Sequence, residues 1–208
     1  MTLQETGSMA NFVSASRLKA GIFSPKGKQT QIQMAEITLM NHLQLAFFPD
    51  QMRALQMAFK KQFGLAIPQL SARQSSATIS ACRAEIGKIW LFSDRDLSDL
   101  PSVFDKFYPT IMTSSRVGIS LKGPKAAEVI KRQTAIDLRG GAGRFMATGM
   151  HHIPVHVLMQ AEDDFLVLIP RSYAESLGHL LFEIATQFGV KVTEPVTWSS
   201  WHRTASIA

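Results

Sequence analysis

The sequence predicts an α+β protein, a ferredoxin-like βαββαβ unit followed by a second α+β unit. Three observations carry this. Between residues 41 and 121 the apolar spacing alternates between strand and helix periods in the order strand, helix, strand, strand, helix, strand. "RVGISLK" alternates cleanly, with Val117, Ile119 and Leu121 on one face. Nearer the C-terminus, "DFLVLIPRSYAESLGHLLFEIATQFG" runs from an apolar strand through a Pro-Arg-Ser turn into a helix.

In order, "MNHLQLAFF" reads as the first strand. Asp50 then caps a helix whose Met52, Leu55, Phe59 and Phe63 share a face, and Gly64 closes it. "SATISACR" and "KIWLF" are strands around a turn at Glu85–Gly87. "DLSDLPSVFDKFY" reads as a helix with Leu97, Leu100, Phe104 and Phe107 inward. After the alternating strand, Gly123-Pro124 starts a helix that turns Ala127 and Ile130 inward. Strands follow near 144–149, 152–159 and 165–169. Pro170 ends the last, because it lacks an N–H and biases Ile169 away from helical dihedrals. Ser172 and Glu175 then form a capping box for a helix with Leu177, Leu180, Leu181, Ile184 and Phe188 on one stripe. The expected division is a flexible tail (1–37), a ferredoxin-like unit (38–115), a second α+β unit (116–194) and a C-terminal tail (195–208). The tryptophans of that last tail, Trp198 and Trp201, are expected to dock, on this chain or on another.

The 208 residues suffice for a core without cross-links, and the single cysteine, Cys82, excludes an intrachain disulfide and any CxxC site. At strand spacing it reads as a small buried hydrophobe. No stretch approaches the ~18 apolar residues of a membrane span. The N-terminal residues lack a basic start followed by an apolar core, so a cytoplasmic protein is expected. The net charge of +6 is concentrated in residues 1–30 and 116–144. The aromatics sit at core spacings rather than between basic residues, which disfavours nucleic acid. The basic excess suits an acidic partner or anionic ligand, or a solvated surface.

Catalytic motifs are sparse. His152 and His156 would share a side of a strand, but "HHIPVH" offers no third ligand at matching spacing, so edge-strand or exposed histidines are expected. "LRGGAGRF" lacks the Lys-Ser/Thr of a phosphate loop and reads as a turn. Asp163 and Asp164 are adjacent in a turn rather than opposed, and no G-x-S-x-G elbow occurs. No catalytic, cofactor-binding or metal-binding residue is assigned. Pro170, Arg171, Ser172, Trp198 and Trp201 are the candidate partner contacts.

"SRVGISLKGPKAAEVIKRQTAIDL" followed by "HIPVHVLMQAEDDFLVLIPRSYAESLGHLLFEIA" resembles the gamma subunit of heterotetrameric sarcosine oxidases. The residues that carry it are Leu121 to Val129, Asp137-Leu138 and Ile169 to Ala174, with "LQLAFFPDQMRALQMAFKKQFGLAIP" matching the family's earlier strand and helix. The likeness covers residues 40 to 190 and extends to the folate-binding aminomethyltransferase fold, the type it implies for the second unit. It implies an accessory subunit without catalytic residues or cofactor, packed on a large alpha subunit beside beta and delta chains. FAD, FMN, NAD, tetrahydrofolate and zinc would lie in those other subunits. Related assemblies oxidise other N-methylamino acids. The alternative is a stand-alone tetrahydrofolate-dependent aminomethyltransferase. Against it, the loop "IMTSSR" carries Thr113, Ser114 and Ser115 where those enzymes usually place an acid. Gly178 also departs from the family pattern, which often has a bulky residue there.

Overall fold

The computed structural model describes residues 16, 18–38 and 40–203. Residues 1–15 and 17 of the expected N-terminal tail and the last five residues lie outside them.

Among the described residues the strands form two sheets. The larger contains β1 (Gly21–Phe23), β2 (Ile32–Thr38), β8 (Arg116–Lys122), β9 (Phe145–Met150), β10 (Ile153–Ala161), β11 (Asp164–Pro170) and β12 (Val190–Val192), in the order β1-β12-β2-β8-β11-β10-β9. A short strand, β13 (Val196–Thr197), pairs with β2. The smaller contains β3 (Asn41–Ala46), β4 (Ala72–Ser75), β5 (Ser80–Glu85), β6 (Lys88–Ser93) and β7 (Thr110–Ile111), in the order β4-β5-β6-β3-β7. Strand alternation divides each sheet's side chains between two cores. Ile119, Leu121, Val155 and Val157 pack under α3 (Ala126–Gln133) and α4 (Ala174–Thr186). Leu43, Leu45, Ile89 and Leu91 pack under α1 (Met52–Phe63) and the one-turn α2 (Leu100–Val103). The facing sides of the sheets enclose a third core, with Trp90, Phe92, Phe145, Leu158, Leu166 and Leu168. The layers therefore run helix, sheet, sheet, helix.

At one edge the sheets are stitched together. Arg73 N–H donates to the Gly143 carbonyl (2.8 Å) and Phe145 N–H to the Ser71 carbonyl (3.0 Å).

Several expectations need correction. Residues 21–37, assigned to the flexible tail, contain β1 and all of β2 but its last residue. In "IQMAEIT" both faces are buried, with Ile32 and Met34 on the helix side and Ile37 toward the other sheet, so this segment is an inner strand. "RVGISLK" is β8 of the larger sheet rather than the closing strand of the smaller one, which β7 supplies. "DLSDLPSVFDKFY" buries Leu97, Leu100, Phe104 and Phe107 as expected, yet forms only α2 and a 3₁₀ turn at Asp105–Phe107. Residues 195–203 are not a tail: β13 leads into α5 (Trp198–Arg203), with Trp198 and Trp201 buried.

Both long helices start differently from the reading. The Gln51 side chain, not Asp50, accepts a hydrogen bond from Phe48 N–H (2.9 Å), in a 3₁₀ turn ahead of α1. Ser172 lies inside a 3₁₀ turn, Arg171–Tyr173, and α4 begins after Tyr173 without a side-chain cap bond there. Gly178 lets α4 approach closely, since a Cβ there would sit 3.1 Å from both Ile119 Cδ1 and Ser16 Cβ.

Candidate functional site

The Pro170-Arg171-Ser172 turn is tied to the loop that precedes β8. Strand β11 stays paired with β8 as far as Pro170 opposite Arg116. The next residue, Arg171, donates its backbone N–H to the Ser115 carbonyl (3.0 Å) and its Nε–H to the Ser114 carbonyl (2.7 Å). The same loop is held from the smaller sheet. Met112 N–H donates to the His42 carbonyl (2.7 Å), and His42 N–H donates to Thr113 Oγ1 (3.1 Å). Residues 112–115 thus connect the two sheets, and Arg171 is their outer strut.

Beside this strut lies a cavity of about 250 Å³ bordered by Glu36, Asn41, Thr113, Ser114, Arg116 and Arg171. Glu36 is 4% exposed and accepts from Ser16 N–H (2.9 Å) and Ser16 Oγ–H (2.5 Å). Arg116 Nη1 donates to the Pro154 carbonyl (3.0 Å), and its guanidinium stands 5.3 Å from the Trp90 ring centre. Two guanidinium groups and one carboxylate suit this cleft to holding a carboxylate or similar anion.

Beneath Arg116 the inter-sheet layer holds two neutral histidines. The His42 ring stacks on Phe92 and meets Trp90; the His156 ring stacks on Phe145 and lies 4.1 Å from the Trp90 ring. Burial, with Arg116 and His156 adding to it, lowers His42 to about 3. Burial and Arg116 lower His156 to about 4, partly offset by the Glu85 carboxylate 3.7 Å away. Their ring nitrogens have no hydrogen-bond partner among the described residues. His156, expected exposed or at an edge, is therefore an interior group. His151 and His152 stand apart from it, in the turn before β10 with φ of 47° and 65°. Among the described residues no three His, Cys, Asp or Glu side chains gather as a metal site.

Cys82 is buried in the same layer, and desolvation pushes its thiol up to about 12. The glycine-rich segment is a turn, as expected. There Arg139 donates to Asp137 (3.0 Å) and holds that carboxyl down at about 2, so part of the basic excess is paired within the chain.

The structure separates the candidate contacts. Arg171 and Ser172 are exposed at one end of β11. Trp201 lies at the other, its Nε1–H 3.3 Å from Asp164 Oδ1. Trp198 packs on Phe92 (5.4 Å) and Trp201 (5.3 Å). With 2% and 6% exposure these tryptophans dock on their own chain and leave little surface for a partner. The sequence reading missed Glu36 and Arg116 as cleft residues. A lone carboxylate inside the apolar run "QMAEITLM" was the available signal for the first.

No family model matches the sequence, and no curated protein sequence matches it. Solved structures do share the fold. A chain of the heterotetrameric sarcosine oxidase from Corynebacterium sp. U-96, in complex with pyrrole 2-carboxylate, superposes with a TM-score of 0.69 at 18% identity, covering 80% of this chain and 88% of that one. The glycine cleavage system aminomethyltransferase T from Bartonella henselae superposes with a TM-score of 0.56 at 12% identity, covering 81% of this chain and 48% of that one. The chain thus has a mixed α+β fold similar to those of a sarcosine oxidase chain and an aminomethyltransferase.

Proposed function

We propose that this chain is a gamma-type accessory subunit of a heterotetrameric, flavin-dependent sarcosine oxidase or a related N-methylamino-acid dehydrogenase. The supporting observation is the extent of the likeness: the superposition runs through 88% of the sarcosine oxidase chain, against 48% of the aminomethyltransferase. In this reading the chain packs against a large alpha subunit, with beta and delta chains completing the assembly in the cytoplasm. Flavins, dinucleotide, folate and zinc are carried by those partners, and this chain's contribution is positional. Its ferredoxin-like smaller-sheet unit and its folate-transferase-like larger-sheet unit form one body for that purpose. The exposed Arg171-Ser172 turn, with the 43%-exposed Tyr173 beside it, is the contact assigned to the alpha subunit. Phe48 and Tyr108, packed edge to face and 61% and 56% exposed, offer a second apolar contact.

Co-expression with the large flavoprotein chains tests this. A complex that retains this chain through size exclusion, and turns over sarcosine only when assembled, is the expected result. Sarcosine oxidation by the isolated chain, or failure to join any such assembly, refutes it.

A second reading, a stand-alone tetrahydrofolate-dependent aminomethyltransferase, gains from the buried Glu36, a carboxylate in the cleft that the "IMTSSR" loop does not provide. It requires saturable tetrahydrofolate binding by the lone chain, and calorimetry without a binding heat removes it.

A further inference from the structure

At the end of β8 and β11 opposite the Arg171 strut lies a second, half-open cleft. Gln33, Lys122 and Asp164 are register partners across β2, β8 and β11, and Ala35 and Ser120 form the next row on the same face. Ser200 and Trp201 of α5 complete the wall around a cavity of about 280 Å³.

Its charges are loosely satisfied. The Asp164 side chain is 4% exposed, so its carboxylate is largely cut off from water. Its hydrogen-bond and ion-pair partners are Trp201 Nε1 at 3.3 Å and Lys122 Nζ at 3.4 Å, and the Arg73 guanidinium attracts it from farther away. Charge-assisted N–H···O bonds close to about 2.7–2.9 Å, so both contacts are stretched. A buried carboxylate is stabilised most by close donors, and one held at this distance has room for a further donor in the adjoining space. Desolvation raises the Asp164 carboxyl above its ordinary value, while Lys122 and the Trp201 bond pull it back. The Lys122 side chain is half exposed and can shift without breaking a packed core.

We propose that this cavity binds a small zwitterionic amino acid, its ammonium on Asp164 and its carboxylate on Lys122. The pair of opposite charges selects the class. A simple cation would be repelled by Lys122 and a simple anion by Asp164, whereas one molecule carrying both charges satisfies both walls. Trp201 closes the apolar side over the ligand's methylene or methyl carbons, while Gln33, Ser120 and Ser200 supply the polar groups. At ~30 Å³ per water the space holds on the order of ten waters, enough for a small amino acid. The inference is independent of the proposed subunit role and concerns a different end of the larger sheet.

The test follows the Trp201 indole N–H resonance in the full chain, assigned with Trp201→Phe, during titration with glycine, acetate or methylammonium. Glycine shifts the resonance saturably, and neither single-charge probe does so at the same concentration. Lys122→Met weakens the glycine response by roughly tenfold or more, the loss expected of one charged hydrogen bond. Lys61→Ala, an exposed position near the end of α1 outside both clefts, leaves it unchanged. Absence of a glycine shift, an equal shift with acetate or methylammonium, or undiminished glycine affinity in Lys122→Met overturns the proposal. Because Lys122 is half exposed, its variant is expected to fold even if Asp164→Asn does not.

Discussion

Arg171 Nε lies 2.7 Å from the carbonyl oxygen of Ser114, so the side chain named as a partner contact also braces the loop between the sheets. Arg171→Ala removes this bond and is expected to cost about 0.5–1.5 kcal/mol in urea denaturation. The Ser115 carbonyl still receives the backbone N–H, so the loop should loosen rather than unfold, read as faster amide exchange at residues 112–115. Arg171→Lys should restore little, because an ammonium lacks the planar guanidinium geometry.

The inter-sheet histidines predict acid sensitivity. His42 and His156 are held neutral in the folded chain at about 3 and about 4, below their ordinary 6.5. Between pH 6.5 and those values the unfolded chain takes up protons that the folded chain refuses. Their stabilising contribution is therefore complete above pH 6.5 and falls as the solution is acidified. The limiting slope is about 1.4 kcal/mol per pH unit for each histidine. Denaturation midpoints measured from pH 7.5 to 4.5 should decline, and His42→Phe should flatten the decline.

Trp198 binds α5 to the layer between the sheets. Trp198→Ala opens a cavity beside Phe92 and is expected to cost about 3–5 kcal/mol. Guanidinium denaturation of that variant should show a large loss, comparable to deletion of residues 195–208. A freely solvated tail would give almost none.

Gly178 can be tested by size. Alanine there gains helix propensity of about 0.8–1 kcal/mol, while its Cβ presses on Ile119 and Ser16, so little net change is expected. Leucine should lower stability by about 1–3 kcal/mol or more through overpacking against β8. Scanning calorimetry of the two variants separates these outcomes.

Where periodicity reported burial, the sequence was informative. Leu55, Phe59, Ile119, Leu177 and Leu181 are buried as their spacing requires, and Gly64 adopts φ 68° as the end of α1. Partnering was less legible. "RVGISLK" has the same alternation whichever sheet it joins, and long-range pairing with β2 and β11 decided the matter. "IQMAEIT" alternates poorly because both its faces are covered, which made it look like tail. The cleft was hidden for a related reason: Glu36, Arg116 and Arg171 come from three separated segments, and none stands in a motif. The turn chemistry of Pro170 was readable, but the local capping reading of Ser172 gave way to a 3₁₀ entry set by Arg171's bonds to Ser114 and Ser115.

The parallel pairing of β2 with β12 and β13 ties together the two ends of the described chain; Thr38 Oγ1 reaches the Val196 carbonyl across 158 positions. Such a closure is slow to find, because so much intervening chain must first be arranged. On the ribosome the smaller sheet can form while the larger one waits for its last strands to emerge. Until then β2 has an unpaired edge, and a nascent or truncated chain would be most exposed to misassociation there.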